Sequence, residues 1–100
     1  MILVRNVFRL KFGKAKEAVA TFKELIELAR RVGFPGKSRL LTDLVGDFYT
    51  IVFEHTADSL AAFESSAGAM MGKPEWQAAY AKLVPLIESG RREIFNIVVE

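Results

Sequence analysis

Two runs, SRLLTDLV (38–45) and FYTIVFEH (48–55), flank the dipeptide Gly46-Asp47. Both are rich in aliphatic, β-branched and aromatic residues, and a two-residue connection of this kind between such runs predicts a β-hairpin. With 46 and 47 as the turn, Val45 faces Phe48, Asp43 faces Thr50, Leu41 faces Val52 and Arg39 faces Glu54. The opposed charges of Arg39 and Glu54 support this register. Those residues share one sheet face. The other carries Leu44, Tyr49, Thr42, Ile51, Leu40, Phe53, Ser38 and His55 and is the more apolar. An antiparallel hairpin thus sits mid-chain, and the remaining segments must pack on it.

Those segments read as strand, helix, then helix and strand again. ILVRNVFRLKF (2–12) is a strand ended by Gly13. In KAKEAVATFKELIELARRVG (14–33), apolar residues recur at Ala15, Ala18, Val19, Phe22, Leu25, Ile26, Ala29 and Val32, the spacing of one helical face. Arg30 and Arg31 sit near its negative pole, and Gly33 is placed for a left-handed cap. Thr56 is placed to cap a helix starting at Ala57, weakened at its end by Gly68 and Gly72. Pro74 suits the first position of a further helix with an apolar stripe of Trp76, Ala79, Tyr80, Leu83 and Ile87. Pro85 falls inside that stripe and predicts a kink, and Ser89-Gly90 a stop before the last strand, RREIFNIVV. The order gives a ferredoxin-like βαββαβ fold: one α+β domain over residues 1–100, a four-stranded antiparallel sheet with helices on one face.

The totals exclude several classes. The chain has no cysteine and one histidine, so disulfides, thiolate sites, cysteine nucleophiles and His-rich metal clusters are ruled out. A formal charge of +2 with scattered basic residues gives no nucleic-acid patch. No apolar run reaches the roughly 18 residues of a membrane span, and charges interrupt the N-terminal apolar residues, unlike a signal peptide. A cytoplasmic protein is expected. No nucleophile elbow, Gly-rich phosphate loop or metal-ligand spacing is present, and no cofactor is indicated.

Helices cover one side of such a sheet, so the other should be polar at alternate positions. It is not. In the first strand Ile2, Val4, Asn6, Phe8 and Leu10 alternate with Leu3, Arg5, Val7, Arg9 and Lys11. The less apolar hairpin face still holds Leu41, Val45, Phe48 and Val52, and the last strand alternates Ile94, Asn96 and Val98 with Phe95, Ile97 and Val99. Four or five exposed apolar side chains, each contributing roughly 1.5–3 kcal/mol on burial, form an interface. A homodimer packed sheet to sheet through this open face is expected.

These features resemble the dimeric α+β barrel superfamily over the whole chain. LKFGKAKEAVATFKEL is similar to a family pattern in which the first strand ends in a Lys-x-Pro-Gly-Lys type turn, with Phe12 where proline is usual. SLAAFE, PEWQAAYAKLVPLIESGRREIF and the hairpin most resemble the NIPSNAP-type branch, with Lys73 where that branch often carries a capping Asp. The resemblance implies two subunits joined around a cavity. Members, including some that cleave haem, carry a polar pocket residue at the position of Asn6. On that ground Asn6 and Phe8 are expected on the cavity side of the open face, with Arg5 and Arg9 reaching past the helices.

Candidate ligand-binding residues are Asn6, Phe8, Asp43, Thr50, Trp76 and Asn96. The amides can bond a ligand or serve the sheet edge, each other or trapped water. Asp43 and Thr50 can line the cavity or bond each other near the dimer seam. Trp76 is first a core residue that can also close one end of the cavity, with Met70 and Met71 flanking an entrance. His55 has the near-neutral pKa of a possible base, against the alternative of a surface histidine beside a helix start. The reading is a small-molecule-binding protein of NIPSNAP-like type with an apolar or aromatic ligand. The alternative is a cofactor-independent monooxygenase-like enzyme acting on an aromatic or polyketide-like substrate. Haem chemistry is disfavoured, because haem-handling relatives place their histidine on a helix and His55 is at a strand end.

Overall fold

The computed structural model describes residues 1–100. Its elements are β1 (Ile2–Leu10), α1 (Ala15–Arg31), β2 (Ser38–Thr42), β3 (Thr50–Ala57), α2 (Leu60–Met71), α3 (Pro74–Leu83), a 3₁₀ turn (Val84–Leu86) and β4 (Ile87–Asn96). The four strands form one antiparallel sheet in the order β2-β3-β1-β4. This is the ferredoxin-like arrangement. No helix is long and apolar enough to cross a membrane.

The central hairpin has the expected register: Arg39 pairs with Glu54 and Leu41 with Val52. Its tip differs. Strand pairing stops at Thr42 and Ile51, and residues 43–49 form a longer connection in which Leu44 and Val45 are almost fully exposed. Tyr49 adopts φ 60° and Gly46 φ 142°.

Helix ends follow local chemistry. At the end of α1, Gly33 at φ 74° lets its N–H reach Arg30 O and the Phe34 N–H reach Ala29 O, so the last carbonyls are bonded. Thr56 does not cap α2. β3 continues through Ala57, and Ser59 is the cap, its Oγ accepting the Ala62 N–H at 3.1 Å. Thr56 instead joins the sheet edge to Lys37: its N–H donates to Lys37 O, and its Oγ1 accepts the Lys37 N–H. Pro74 opens α3, and Lys73 supplies no side-chain cap.

Pro85 does not kink a long helix; the helix ends before it. Lacking an N–H, Pro85 cannot continue the ladder, so α3 stops at Leu83, the chain tightens into one 3₁₀ turn and β4 begins at Ile87. Ser89 and Gly90 therefore lie within a strand. A register shift between Arg9 and Leu10 marks a bulge in β4 at Glu88, which has no partner on β1. Gly90 lies beneath the Phe8 ring, where a Cβ would stand 2.7 Å from Phe8 Cδ1.

Alternation in β1 resolves with Ile2, Val4, Asn6, Phe8 and Leu10 toward the helices. The Phe8 ring meets Phe22 of α1 at 5.6 Å between centroids. This corrects the expectation that Asn6 and Phe8 face the open side and that Arg5 and Arg9 pass the helices: Arg5 and Arg9 are on the open face. The buried core is split. One cluster joins Leu10, Phe22, Leu25, Ile51, Leu83 and Leu86; the other joins Ile2, Val4 and Phe63 beneath α2.

Candidate functional site

Between these clusters lies a cavity of about 870 Å³, bounded by the helix side of the sheet and by all three helices. A chain of this size ordinarily fills its interior as one contiguous core. Here Phe8 and Phe53 from the sheet, Phe22 from α1, Phe63 from α2 and Trp76 and Tyr80 from α3 wall a space instead. Trp76 is half-buried, packs on the larger core cluster and stacks on Tyr80 at 6.3 Å with planes 15° apart. Met70 is buried in the wall, while Met71 is half-exposed at the same cavity.

Asn6, His55 and Arg92 interrupt the apolar wall, together with Ser38, Gln77 and Arg91. Asn6, only 8% exposed, accepts a hydrogen bond at Oδ1 from Arg92 Nε at 2.7 Å and donates from Nδ2 to Phe53 O at 3.5 Å. The Arg92 guanidinium lies 5.3 Å from the centroid of the Phe63 ring, a cation–π distance. His55 is 5% exposed, and both of its ring nitrogens lack a partner. Its ring sits among Phe63, Phe53 and Phe34 at 5.1, 5.4 and 5.7 Å. Burial pushes its pKa below 6.5, and the nearby Arg92 charge pushes it the same way. The imidazole is therefore neutral near pH 7: one nitrogen donates and the other accepts.

The open face is more charged than alternation suggests. Across the sheet, Glu54 accepts from Arg39 Nη2 at 2.6 Å and Arg5 Nε at 2.7 Å, while Glu93 meets Arg5 and Arg91. Burial of Glu54 alone would raise its pKa; the hydrogen bonds from Arg39 and Arg5 outweigh burial and hold it below 4.5. Val7 and Val52 are buried without a helix above them. Leu41 and Phe95 stay exposed on this face, whereas Val45 and Phe48 have left the sheet for the hairpin tip.

The structure brings Asn6, Phe8, His55 and Trp76 to one cavity, on the helix side of the sheet. It does not bring Asp43, Thr50 or Asn96 there. Asp43 Oδ1 accepts the Thr50 N–H at 2.9 Å, and Thr50 Oγ1 donates to Asp47 O at 2.8 Å, so these residues shape the hairpin tip. Asp43 lines a second recess of about 840 Å³ between the tip and the start of α1. Asn96 is exposed at the end of β4, opposite Ile2. His55 is buried, against the surface alternative, because β3 carries it beneath α2. Arg92 escaped sequence reasoning, because Ser89-Gly90 predicts a helix end immediately before it. Counting back from Asn96 in steps of two would have put it on the cavity face. No group of three His, Asp or Glu side chains could hold a metal ion.

No protein-family model and no curated protein sequence matches the chain. Solved structures do. A NIPSNAP-domain protein from Burkholderia xenovorans superposes with a TM-score of 0.86 at 19% identity, covering 98% of this chain and 95% of that one. A NIPSNAP family protein from Agrobacterium tumefaciens gives 0.85 at 21% identity, covering 95% and 90%. A putative antibiotic biosynthesis monooxygenase from Chloroflexus aurantiacus gives 0.74 at 20% identity, covering 99% and 94%. The chain thus has the α+β fold common to these proteins, and matches the NIPSNAP-domain structures more tightly than the monooxygenase-type one.

Proposed function

We propose that this protein is a NIPSNAP-like binding protein that takes a small, largely apolar molecule into the cavity between its sheet and helices. One observation carries the reading: the core is divided around a space walled by aromatic rings, with a buried imidazole inside it whose two nitrogens have no partner. A buried polar group without a partner is costly, and it is retained where a ligand completes it. The volume lies within the range of small-molecule sites. The proposed assembly is a homodimer through the open sheet face. Its support is the exposed Leu41 and Phe95 of that face, on either side of an ion-pair row that a second copy can extend.

Native mass spectrometry of protein purified from its own host tests both parts. The expected spectrum shows two chains plus a retained small mass. Ala67→Trp, which fills the cavity from α2, should keep the dimer and lose the added mass. An unliganded dimer in both proteins would remove the binding role, and a lone 11.2 kDa chain at micromolar concentration would remove the dimer.

A second reading, a cofactor-independent monooxygenase-like enzyme for an aromatic or polyketide-like substrate, is supported by His55 alone: a neutral imidazole in an apolar wall is a proton acceptor for a phenol or enol. Oxygen uptake with a polycyclic phenol, lost in His55→Phe, favours it; uptake equal in both proteins removes it.

A further inference from the structure

The sheet carries five arginines, and four of them are neutralised. Arg5, Arg9, Arg39 and Arg91 each reach a carboxylate, within 2.6–3.4 Å. All four pairs are on the open face or the hairpin tip. Arg92 is the one sheet arginine on the helix side, and it has no carboxylate partner. It is held in place nonetheless. The buried Asn6 amide accepts its Nε–H, and the Phe63 ring lies against the guanidinium. A cation fixed by a neutral amide and an aromatic ring keeps its charge and its Nη donors for something else. No aspartate or glutamate lines the cavity.

We propose that the cavity takes an amphipathic anion: a molecule with one acid group, such as a carboxylate, on an aromatic or alkyl body, the acid group pairing with Arg92 and accepting the His55 ring N–H. This rests on the reading of the cavity as a binding site and adds the class of ligand. A cationic ligand would meet the unpaired Arg92. A wholly apolar one would leave both His55 nitrogens dry and unpaired, which is the costly state of a buried polar group. An acid group satisfies both with charge-assisted bonds, and the guanidinium fork suits a carboxylate. The body then lies along Phe8, Phe22, Phe53 and Trp76. Asn6 acts as a positioning residue. Its two polar atoms are already engaged, so it aims Arg92 and does not touch the ligand.

The test is calorimetric titration of the full chain with two matched pairs: 2-naphthoate against 2-naphthamide, and decanoate against decanamide. In each pair the acid is expected to bind at least about tenfold tighter than its amide near pH 7.5, a difference of about 1.4 kcal/mol. Arg92→Gln should reduce that ratio to near one while leaving amide affinity within about threefold. Arg92→Lys, which keeps the charge and loses the fork, should fall between. Arg39→Gln is the control, because Arg39 pairs with Glu54 away from the cavity, and it should keep the wild-type ratio. Equal binding of acid and amide by the wild-type protein would overturn the anion inference and leave the cavity reading standing. A ratio that survives Arg92→Gln would overturn the assignment of Arg92. No binding of any of the four probes at millimolar concentration would overturn both readings.

Discussion

Replacing His55 with phenylalanine should make the protein more stable, and increasingly so as the solution is acidified. His55 is 5% exposed, makes no hydrogen bond from either nitrogen and touches three aromatic rings. Leaving buried polar atoms unpaired costs about 1–3 kcal/mol, and a phenyl ring removes that cost while keeping the ring contacts. The ring is slightly larger, but the cavity beside it gives room, so overpacking is small. A net gain of about 1–2 kcal/mol near pH 7.5 follows, or about 4–8 °C in Tm per kcal/mol for a domain of this length. The pH dependence has a definite sign. The folded pKa lies below 6.5, so the unfolded chain binds the extra proton first. The part of the wild-type penalty linked to protonation is absent well above 6.5 and grows as pH falls below it, adding to the pH-independent cost of the unpaired nitrogens. With one proton involved, the further loss between pH 7.5 and 5.5 is at most about 1.4 kcal/mol. Glu54 titrates in both proteins and cancels in the comparison. Urea unfolding at the two pH values, at one fixed protein concentration, reads the difference directly. A variant no more stable than wild type near pH 7.5, whose stability also falls in parallel with wild type down to pH 5.5, would refute the description of His55 as a buried, unpaired imidazole.

Other substitutions test other parts of the structure. Gly90→Ala places a methyl 2.7 Å from the Phe8 ring; the ring must swing into the cavity, so stability should drop by about 1–2 kcal/mol and dye uptake by the cavity should fall. Gly36→Ala and Gly33→Ala form a pair. Both residues have positive φ, but only at Gly36 does the new Cβ meet backbone, 2.0 Å from Thr56 O. Gly33→Ala should cost about 1 kcal/mol and Gly36→Ala clearly more, measured by thermal melting. Glu54→Gln weakens two charge-assisted bonds whose arginines are partly exposed, so the loss near pH 7 should be about 1–3 kcal/mol. Because the folded pKa of Glu54 is below 4.5, wild type should lose this advantage as pH falls below 4.5 and converge on the variant.

Much of the fold was legible where local chemistry decides it. The Arg39–Glu54 register, the Gly33 cap and the Pro74 helix start each depend on a few neighbouring residues. The misses lie where a tertiary contact overrode a local signal. Ser59 rather than Thr56 is the cap because pairing with β1 carries β3 on to Ala57, past the strand end that the sequence predicts at His55. Ser89-Gly90 looked like a helix stop because turn residues commonly end helices. In the folded chain Gly90 is the one position of β4 that can lie beneath the Phe8 ring, and that close approach is a contact between distant segments.

The site was misplaced for a related reason. Alternation separates Arg5 from Asn6 but does not say which of them the helices cover. The hairpin register contained the missing step. Arg39 and Glu54 share a face, β3 pairs with β1 so that Glu54 stands opposite Arg5, and the buried Glu54 carboxylate bonds both arginines. That places Arg5 on the ion-pair face and Asn6 beneath the helices, without appeal to a partner subunit. Once Asn6 is there, an amide in an apolar wall requires a donor for its oxygen, and the residue opposite it across the β1–β4 pair is Arg92. The same chain of partners that neutralises every arginine on one face therefore delivers an unneutralised one to the other, beside the buried histidine.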